Sequence, residues 1–387
     1  MLIRNAMKNP FKFDIEVAGD FFCGRRHEIG ELVDYIHNET NIIMFAKRRI
    51  GKSSLLKEIF ENHLEQSILH THIDIYSISN VRELYERLVT GIEESLIGHE
   101  TNLNKLSRLV DTIQSYFYHA KVSFIVSGKP QIKIETTEKD YYSAIEKLFL
   151  GYFAFLEAQN LQAVIAIDEF QKIVSLSDAE KIEALLRTIA NKRKNSSFIF
   201  TGSKRNILLG MFNDSARAFF KLGTEFELPP INRNEFYLWV RERFNKKSIH
   251  LDFSAFESLY NQADGETRFI QQICHEAFRT LKSGSILSIS EITNIVDRVI
   301  RKKTYNAQLL NRYTSVQQNT LKIIAVKNGY NIYSNDTLTA NSISKASAQS
   351  AVKSLVKDGI IFQELDGKLT FEDVEFKLWL TYETYVR

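Results

Sequence analysis

Continuous apolar runs mark the first half of the chain, and apolar residues at helical spacing mark the second. The runs at 42–45, 163–167 and 197–200 do not alternate, which is the pattern of strands covered on both faces of a parallel sheet. Segments 71–76 and 224–228 predict two further strands. Between them lie stretches with a helical period: Ile29, Leu32, Val33 and Ile36 share one face, as do Leu55, Leu56, Ile59 and Phe60. Helices are also predicted over 81–96, 104–119 and 141–159. Strands alternating with helices predict an α/β domain built on a parallel sheet. Segments 121–126 and 131–135, separated by Ser127-Gly128-Lys129-Pro130, predict a β-hairpin. The stretch from Lys52 to Asp168 is long for one strand–helix–strand step, so the hairpin is expected to be an insertion, a surface feature suited to a partner.

Past Pro229-Pro230 the pattern changes, and strands are expected to vanish. Helices are predicted over 233–246, 253–263 and 267–281, reading as a small helical lid. A linking helix, capped by Ser290, is expected through about residue 310, basic at Arg298, Arg301, Lys302 and Lys303. Helices over 316–326, 335–341 and 345–357 then precede two β-prone pieces at 359–362 and 367–371. Three helices and a two-stranded wing predict a winged helix. The expected organisation is therefore an α/β core with an inserted hairpin over 1–228, a helical lid over 229–288, a linking helix over 289–313 and a winged-helix domain over 314–387.

Composition narrows the class. The 387 residues are 44% hydrophobic, enough for two or three ordinary cores. A formal charge of +3 does not announce a nucleic-acid binder, although it leaves room for a local basic face. Cys23 and Cys274 stand far apart without metal-like neighbours, so buried free thiols in a reducing compartment are expected, and no metal site of their own. No apolar run approaches bilayer length, and the first ten residues lack a signal peptide's apolar core. A cytoplasmic protein without a membrane partner is the expectation.

The chemistry concentrates after the first strand. Residues 41–56 read N-I-I-M-F-A-K-R-R-I-G-K-S-S-L-L, a strand, a polar turn and a helix opened by Gly51-Lys52-Ser53. A phosphate-binding loop requires that context: backbone N–H groups converge on a phosphate at the helix N-terminus, Lys52 neutralises β- and γ-oxygens, and the Ser53 hydroxyl serves Mg²⁺. Gly51 lets the backbone pass close to the phosphate. Arg48, Arg49, Ile50, Gly51, Lys52, Ser53 and Ser54 are thus assigned to nucleotide binding, with Ala46 standing where the motif usually has its first glycine.

A second motif follows the strand at 163–167, which ends in Asp168-Glu169. Carboxylates there emerge where α/β folds bind ligands. Asp168 suits support of Mg²⁺, and Glu169 suits polarising an attacking water. After the next strand, Thr201 or Ser203 would face a γ-phosphate, or simply end the strand in a turn. Arg205 and Arg217 sit among Leu208, Leu209, Met211, Phe212, Phe219 and Phe220; an arginine here reaches a γ-phosphate in cis or in a neighbouring subunit, or lies on the surface beside a packed aromatic cluster. Gly24-Arg25 either packs near a nucleotide base or starts a helix with a solvated arginine. Arg268, in the first turn of the third lid helix, is a candidate for the phosphates, because a cation is unfavourable to the helix dipole there. In the last predicted helix Lys345, Gln349, Lys353 and Lys357 fall on one face. That face suits either a DNA groove, with lysines on phosphates and Gln349 reading a base, or a protein partner.

With these landmarks the chain resembles the archaeal-type ATPase family, P-loop proteins of the AAA+/STAND group. The resemblance rests on the N-P-F lead-in at 9–11; on Phe22, Gly24, Arg25 and Glu28 for an F-x-G-R-x-x-E box; and on Arg48, Arg49, Gly51, Lys52 and Ser53 for the loop. It rests further on Asp168-Glu169-Phe170-Gln171 and on Gly202-Ser203. Lys47 and Thr267 depart from the family pattern. The resemblance implies a strand order in which the Ser203 strand separates the Asp168 strand from the loop strand, and ATP binding with slow, Mg²⁺-dependent hydrolysis. The expected protein is a molecular switch whose nucleotide state repositions the winged helix for duplex DNA or a partner protein in another chain, with Lys52, Glu169, Ser203 and Arg217 catalytic. Arg217 would act across a contact in a homo-oligomer. The alternative is a non-catalytic regulatory module that holds nucleotide and acts by binding DNA or protein.

Overall fold

The computed structural model describes residues 8–97, 103–125, 131–364 and 366–386. They form two compact units. One contains Arg26–Ala46 and Leu55–Leu228; the other contains the residues up to Arg25, Lys47–Ser54 and those from Pro229 on.

The first unit holds strands β1 (Ile42–Phe45), β2 (Ile68–Asp74), β3 (Ala120–Ile125), β4 (Gln131–Thr136), β5 (Gln162–Asp168), β6 (Ser196–Gly202) and β7 (Thr224–Glu227). Five of them make a sheet of order β2-β5-β6-β1-β7, parallel throughout. β6 thus separates β5 from β1, as the resemblance implied. β1 and β6 are buried along their whole length, and β5 from its second residue on. Strands buried on both faces need helices on both sides, and the crossover segments supply them. Asn41 fastens the entrance to β1: its side chain accepts the Phe198 N–H (3.0 Å) and donates to the Leu222 carbonyl (3.2 Å). β2 begins at Ile68, earlier than expected, because its pairing with β5 already starts there. The helix expected over 104–119 spans Leu103–Tyr116, where the chain turns to enter β3. β3 and β4 pair antiparallel as the expected hairpin; its turn at 126–130 lies outside the described residues. Helix Tyr141–Gln159 occupies its expected span, with Asp140 capping the N–H groups of Tyr142 and Ser143.

In the second unit, helices Arg233–Asn245, Phe253–Gln262 and Thr267–Thr280 are where the periodicity puts them. Strands do not vanish after Pro230, however. β8 (His250–Leu251) and β9 (Ile286–Leu287) form a short parallel pair too small to leave a sequence signature. The linking helix is also two: Ile289–Arg301 and Tyr305–Leu310. Its cap is Ser288 rather than Ser290, because Ser288 is extended and its hydroxyl accepts the Glu291 N–H. Helix Ser315–Val326 starts with a Thr314–Gln317 capping box, and Asn335–Ala340 and Lys345–Lys357 are capped by Ser334 and Ser344. β10 (Ile361–Gln363) and β11 (Leu369–Phe371) pair antiparallel. Helix Val374–Val386 follows, unforeseen from the sequence, with Asp373 accepting the N–H groups of Glu375 and Phe376.

Cys23 and Cys274 are free and buried in this unit's core, and burial pushes both thiols up. Among the described residues no helix is long and apolar enough to cross a membrane.

Candidate functional site

β1 runs directly into the loop Lys47–Gly51 and helix Lys52–Asn62. Gly51 sits at φ 99°, which glycine alone adopts without strain, and nothing lies within 4 Å of where a Cβ would stand. Arg49 precedes it in a left-handed conformation, φ 61°. The carbonyls of this turn are engaged by their own unit. Ile50 accepts from Arg25 Nη2 (2.9 Å) and Thr267 Oγ1 (3.0 Å), and Arg49 accepts the Arg268 N–H (3.2 Å). Val17 donates its N–H to the Ser54 hydroxyl. A left-handed turn opening a helix, free of side-chain bulk at Gly51, fits a phosphate cradle.

Arg25 is 2% exposed, and its other nitrogen reaches the Pro229 carbonyl at 2.8 Å. It is therefore not a solvated helix-start residue. It braces the loop. Gly24 lies in the same turn with φ 65°.

Around the loop the unit gathers charge. Arg49 lies 3.1 Å from Asp373 and 3.9 Å from Glu375 Oε1. The Glu375 side chain, 1% exposed, also meets Arg268 and Lys303, each at 2.7 Å, while Arg268 reaches Asp14 at 2.7 Å. Lys47 and Lys377 share Asp264 at 3.7 and 2.8 Å. Burial opposes the charge of Arg49, but Asp373, Glu266 and Glu375 outweigh it and raise its pKa. Burial lowers Lys47 against the pull of Asp264. Glu266 is fully buried; desolvation lifts its carboxyl to about 7, against the pull of Arg49. Burial likewise raises Glu372, with Arg48 and Lys47 opposing. Arg48 itself is exposed. Arg268 is thus held by carboxylates of its own chain. The sequence reading missed Glu375, Asp373, Asp264 and Glu266. The usable signal was Asp373 as a cap before V-E-F-K-L-W-L; nothing local distinguished Glu266.

In the other unit, β1, β5 and β6 end at one edge of the sheet, with Phe45 opposite Gly202 and Asp74 opposite Asp168. Asp168, 9% exposed, accepts from the Thr201 hydroxyl and from the Glu169 N–H (2.9 Å), and His72 Nε2 stands 3.6 Å from its other oxygen. Thr201 is therefore spent on Asp168, leaving Ser203 as the hydroxyl beyond the strand end. Glu169 is left-handed (φ 56°), a conformation that costs a non-glycine residue about 1 kcal/mol or more. Its Oε2 accepts from Ser203 Oγ (2.9 Å) and Gln171 Nε2 (2.5 Å). Among the described residues no cluster of three or more His, Cys, Asp or Glu forms a metal cage. The hard oxygen donors that could serve Mg²⁺ are the Asp168 carboxylate in this unit and the Ser53 hydroxyl in the other.

The candidate arginines are both engaged. Arg205 forks onto Glu227 and lies over the Phe45 ring, and Arg217 forks onto the buried Glu183. Arg217 is thus not a free cation, and transfer to another subunit would leave Glu183 buried without its partner. On helix Lys345–Lys357 the side chains of Lys345, Gln349, Lys353 and Lys357 are all exposed.

Residues 36–208 match a family model described as an AAA domain. No curated protein matches the sequence. The fold is similar to the Walker-type ATPase of Pyrococcus abyssi (16% identity, TM-score 0.65, 96% of this chain and 99% of that one). It is also similar to the Aeropyrum pernix ORC2 protein in ADPNP–ADP complexes (14% identity, TM-score 0.55, 96% and 98%). Residues 36–208 thus match an AAA domain, and a parallel sheet in the order β2-β5-β6-β1-β7 with the loop placed after β1 is the fold of a P-loop ATPase.

Proposed function

We propose that the chain binds Mg·ATP and hydrolyses it slowly, as a switch. One observation carries this reading: the strands that lead to Gly51-Lys52-Ser53, to Asp168-Glu169 and to Ser203 all end at the same edge of one parallel sheet, the edge where α/β folds hold ligands. In this reading the helix N-terminus and Lys52 take the phosphates, and Ser53 and Asp168 serve the metal. Bound there, Mg²⁺ would neutralise charge developing on the phosphate oxygens. Glu169 orients the attacking water and accepts its proton, and the Ser203 hydroxyl, donating to the same carboxylate, helps hold it in place. The ORC2 protein of similar fold was captured with ADPNP and ADP, which supports a nucleotide as ligand.

The switch would act through the second unit. Its helices 233–280 form the lid. Its three capped helices with the β10–β11 wing form a winged helix, whose Lys345–Lys357 face meets duplex DNA or a partner protein. Arg49 and Arg268, bound to carboxylates of helix Val374–Val386 and its cap, give nucleotide phosphates a means of bearing on that module, because phosphate and carboxylate compete for the same guanidinium groups. Arg217 has no part in this reading.

The test is ATP turnover and ATP binding by the wild type and by Glu169→Gln. The variant is expected to bind ATP normally and to lose turnover by roughly a hundredfold or more, the scale of a general base. Unchanged turnover removes Glu169 from this role. A wild type that binds without turnover favours the non-catalytic module instead.

A further inference from the structure

We propose that Gln171 is the positioning residue for Glu169, and that Gly202 is glycine in order to admit it. The proposal rests on the reading of Glu169 as the base. Gln171 lies in the short 3₁₀ helix Phe170–Ser175 that follows β5. Its side chain does not point to solvent: the residue is 7% exposed, and its amide nitrogen donates to Glu169 Oε2 at 2.5 Å. The Ser203 hydroxyl donates to the same oxygen at 2.9 Å. Two donors on Oε2 fix the carboxylate plane. Oε1 accepts no hydrogen bond among the described residues, so it is the oxygen presented to a water.

The route by which Gln171 reaches this place crosses the end of β6. A Cβ on Gly202 would stand 1.9 Å from Gln171 Oε1 and 3.0 Å from its Cδ, far inside contact distance. Gln171 Oε1 is buried and has no hydrogen-bond partner among the described residues. Leaving a buried amide oxygen unpaired costs about 1–3 kcal/mol. A side chain serving only to fill space would do so without that cost, as methionine does, whereas an amide is retained where its N–H is needed. The left-handed Glu169 backbone adds to the picture, because a carboxylate on a strained turn needs side-chain restraint to hold a single orientation.

The experiment uses the full chain and two independent readouts. In the first, Gln171→Met and Gly202→Ala are compared with wild type for kcat, KM and thermal unfolding. A positioning role predicts kcat lower by roughly tenfold to a hundredfold in Gln171→Met, with KM for ATP and the melting temperature close to wild type. Added to Glu169→Gln, Gln171→Met is expected to cost nothing further, because it acts through that residue. In the second readout, ¹⁵N-glutamine labelling follows the Gln171 side-chain amide, assigned by its loss in Gln171→Met. Glu169→Ala is expected to move this resonance strongly, and Gly202→Ala to move it similarly. Unchanged kcat in Gln171→Met, or an amide resonance indifferent to Glu169→Ala, overturns the proposal. If the wild type has no turnover, the hydrolytic reading of Glu169 fails by itself, and the amide resonance still decides whether Gln171 holds that carboxylate.

Discussion

Glu266 shows how a single residue carries a consequence for the whole unit. It has no accessible surface, and neither carboxylate oxygen has a hydrogen-bond partner among the described residues. Desolvation lifts its pKa from 4.5 to about 7; Arg49 and Lys47 oppose the shift, while Asp373 and Glu375 reinforce it. Below pH 4.5 folded and unfolded states are both protonated, and burial of the group costs little. Between 4.5 and about 7 the unfolded chain releases its proton first, so stability falls as pH rises. Above 7 the full penalty stands, on the order of 3 kcal/mol. Glu266→Gln keeps the shape without the charge. It is expected to flatten the stability profile between pH 5 and 7.5 and to gain most at pH 8, as read by urea unfolding at a series of pH values. An identical slope in both proteins would show that the proton is not held there.

At the scale of elements, helix Val374–Val386 is tied to its unit by one buried anion among three cations. Glu375 faces Arg268 and Lys303 at 2.7 Å and Arg49 at 3.9 Å. Removing one member of a buried ionic group typically costs about 3–5 kcal/mol, because the remaining charges lose their compensation. Glu375→Gln should therefore destabilise this unit by about 3 kcal/mol while leaving the other unit's transition in place, which two-probe denaturation would resolve. A change below about 0.5 kcal/mol, the size of an exposed pair, would mean that water already screens the cluster. The sheet tells a different story. β1, β5 and β6 were readable because a strand buried on both faces must be a continuous apolar run. β8 and β9, two residues each, offer no such run; their pairing is decided by the chain that brings them together.

For the whole molecule, the exposed row Lys345, Gln349, Lys353 and Lys357 sets a test of partner class. If it lies on duplex DNA, binding should weaken steeply with salt. Replacing the three lysines by alanine should then lower the log–log salt slope by roughly 3, uniformly across DNA sequences, because each phosphate contact contributes about 0.9. A slope that does not change assigns the row to solvent or to a protein partner. The division into units also matters at this scale. Lys47–Ser54 is compact with the residues from Pro229 on, through carbonyl and charge contacts that arise far apart in the chain.

What this sequence determined by itself was the periodic and local part of the protein. Continuous apolar runs marked the three buried strands, and helical spacing marked the helices. Gly51-Lys52-Ser53, Asp168-Glu169 and Ser203 each follow a strand in this order, which is the pattern expected of phosphate chemistry. These are signals that a strand, a helix or a turn imposes on neighbouring residues. Tertiary structure decided the pairings. Arg25 became a buried brace rather than a surface group, Arg217 and Arg268 were taken by carboxylates, Thr201 was taken by Asp168, and Gln171 was laid over Gly202 onto Glu169. The physical reason is that a charged or polar side chain looks the same in sequence whether it faces water, a ligand or a partner dozens of residues away. Only burial removes the water and makes one partner obligatory.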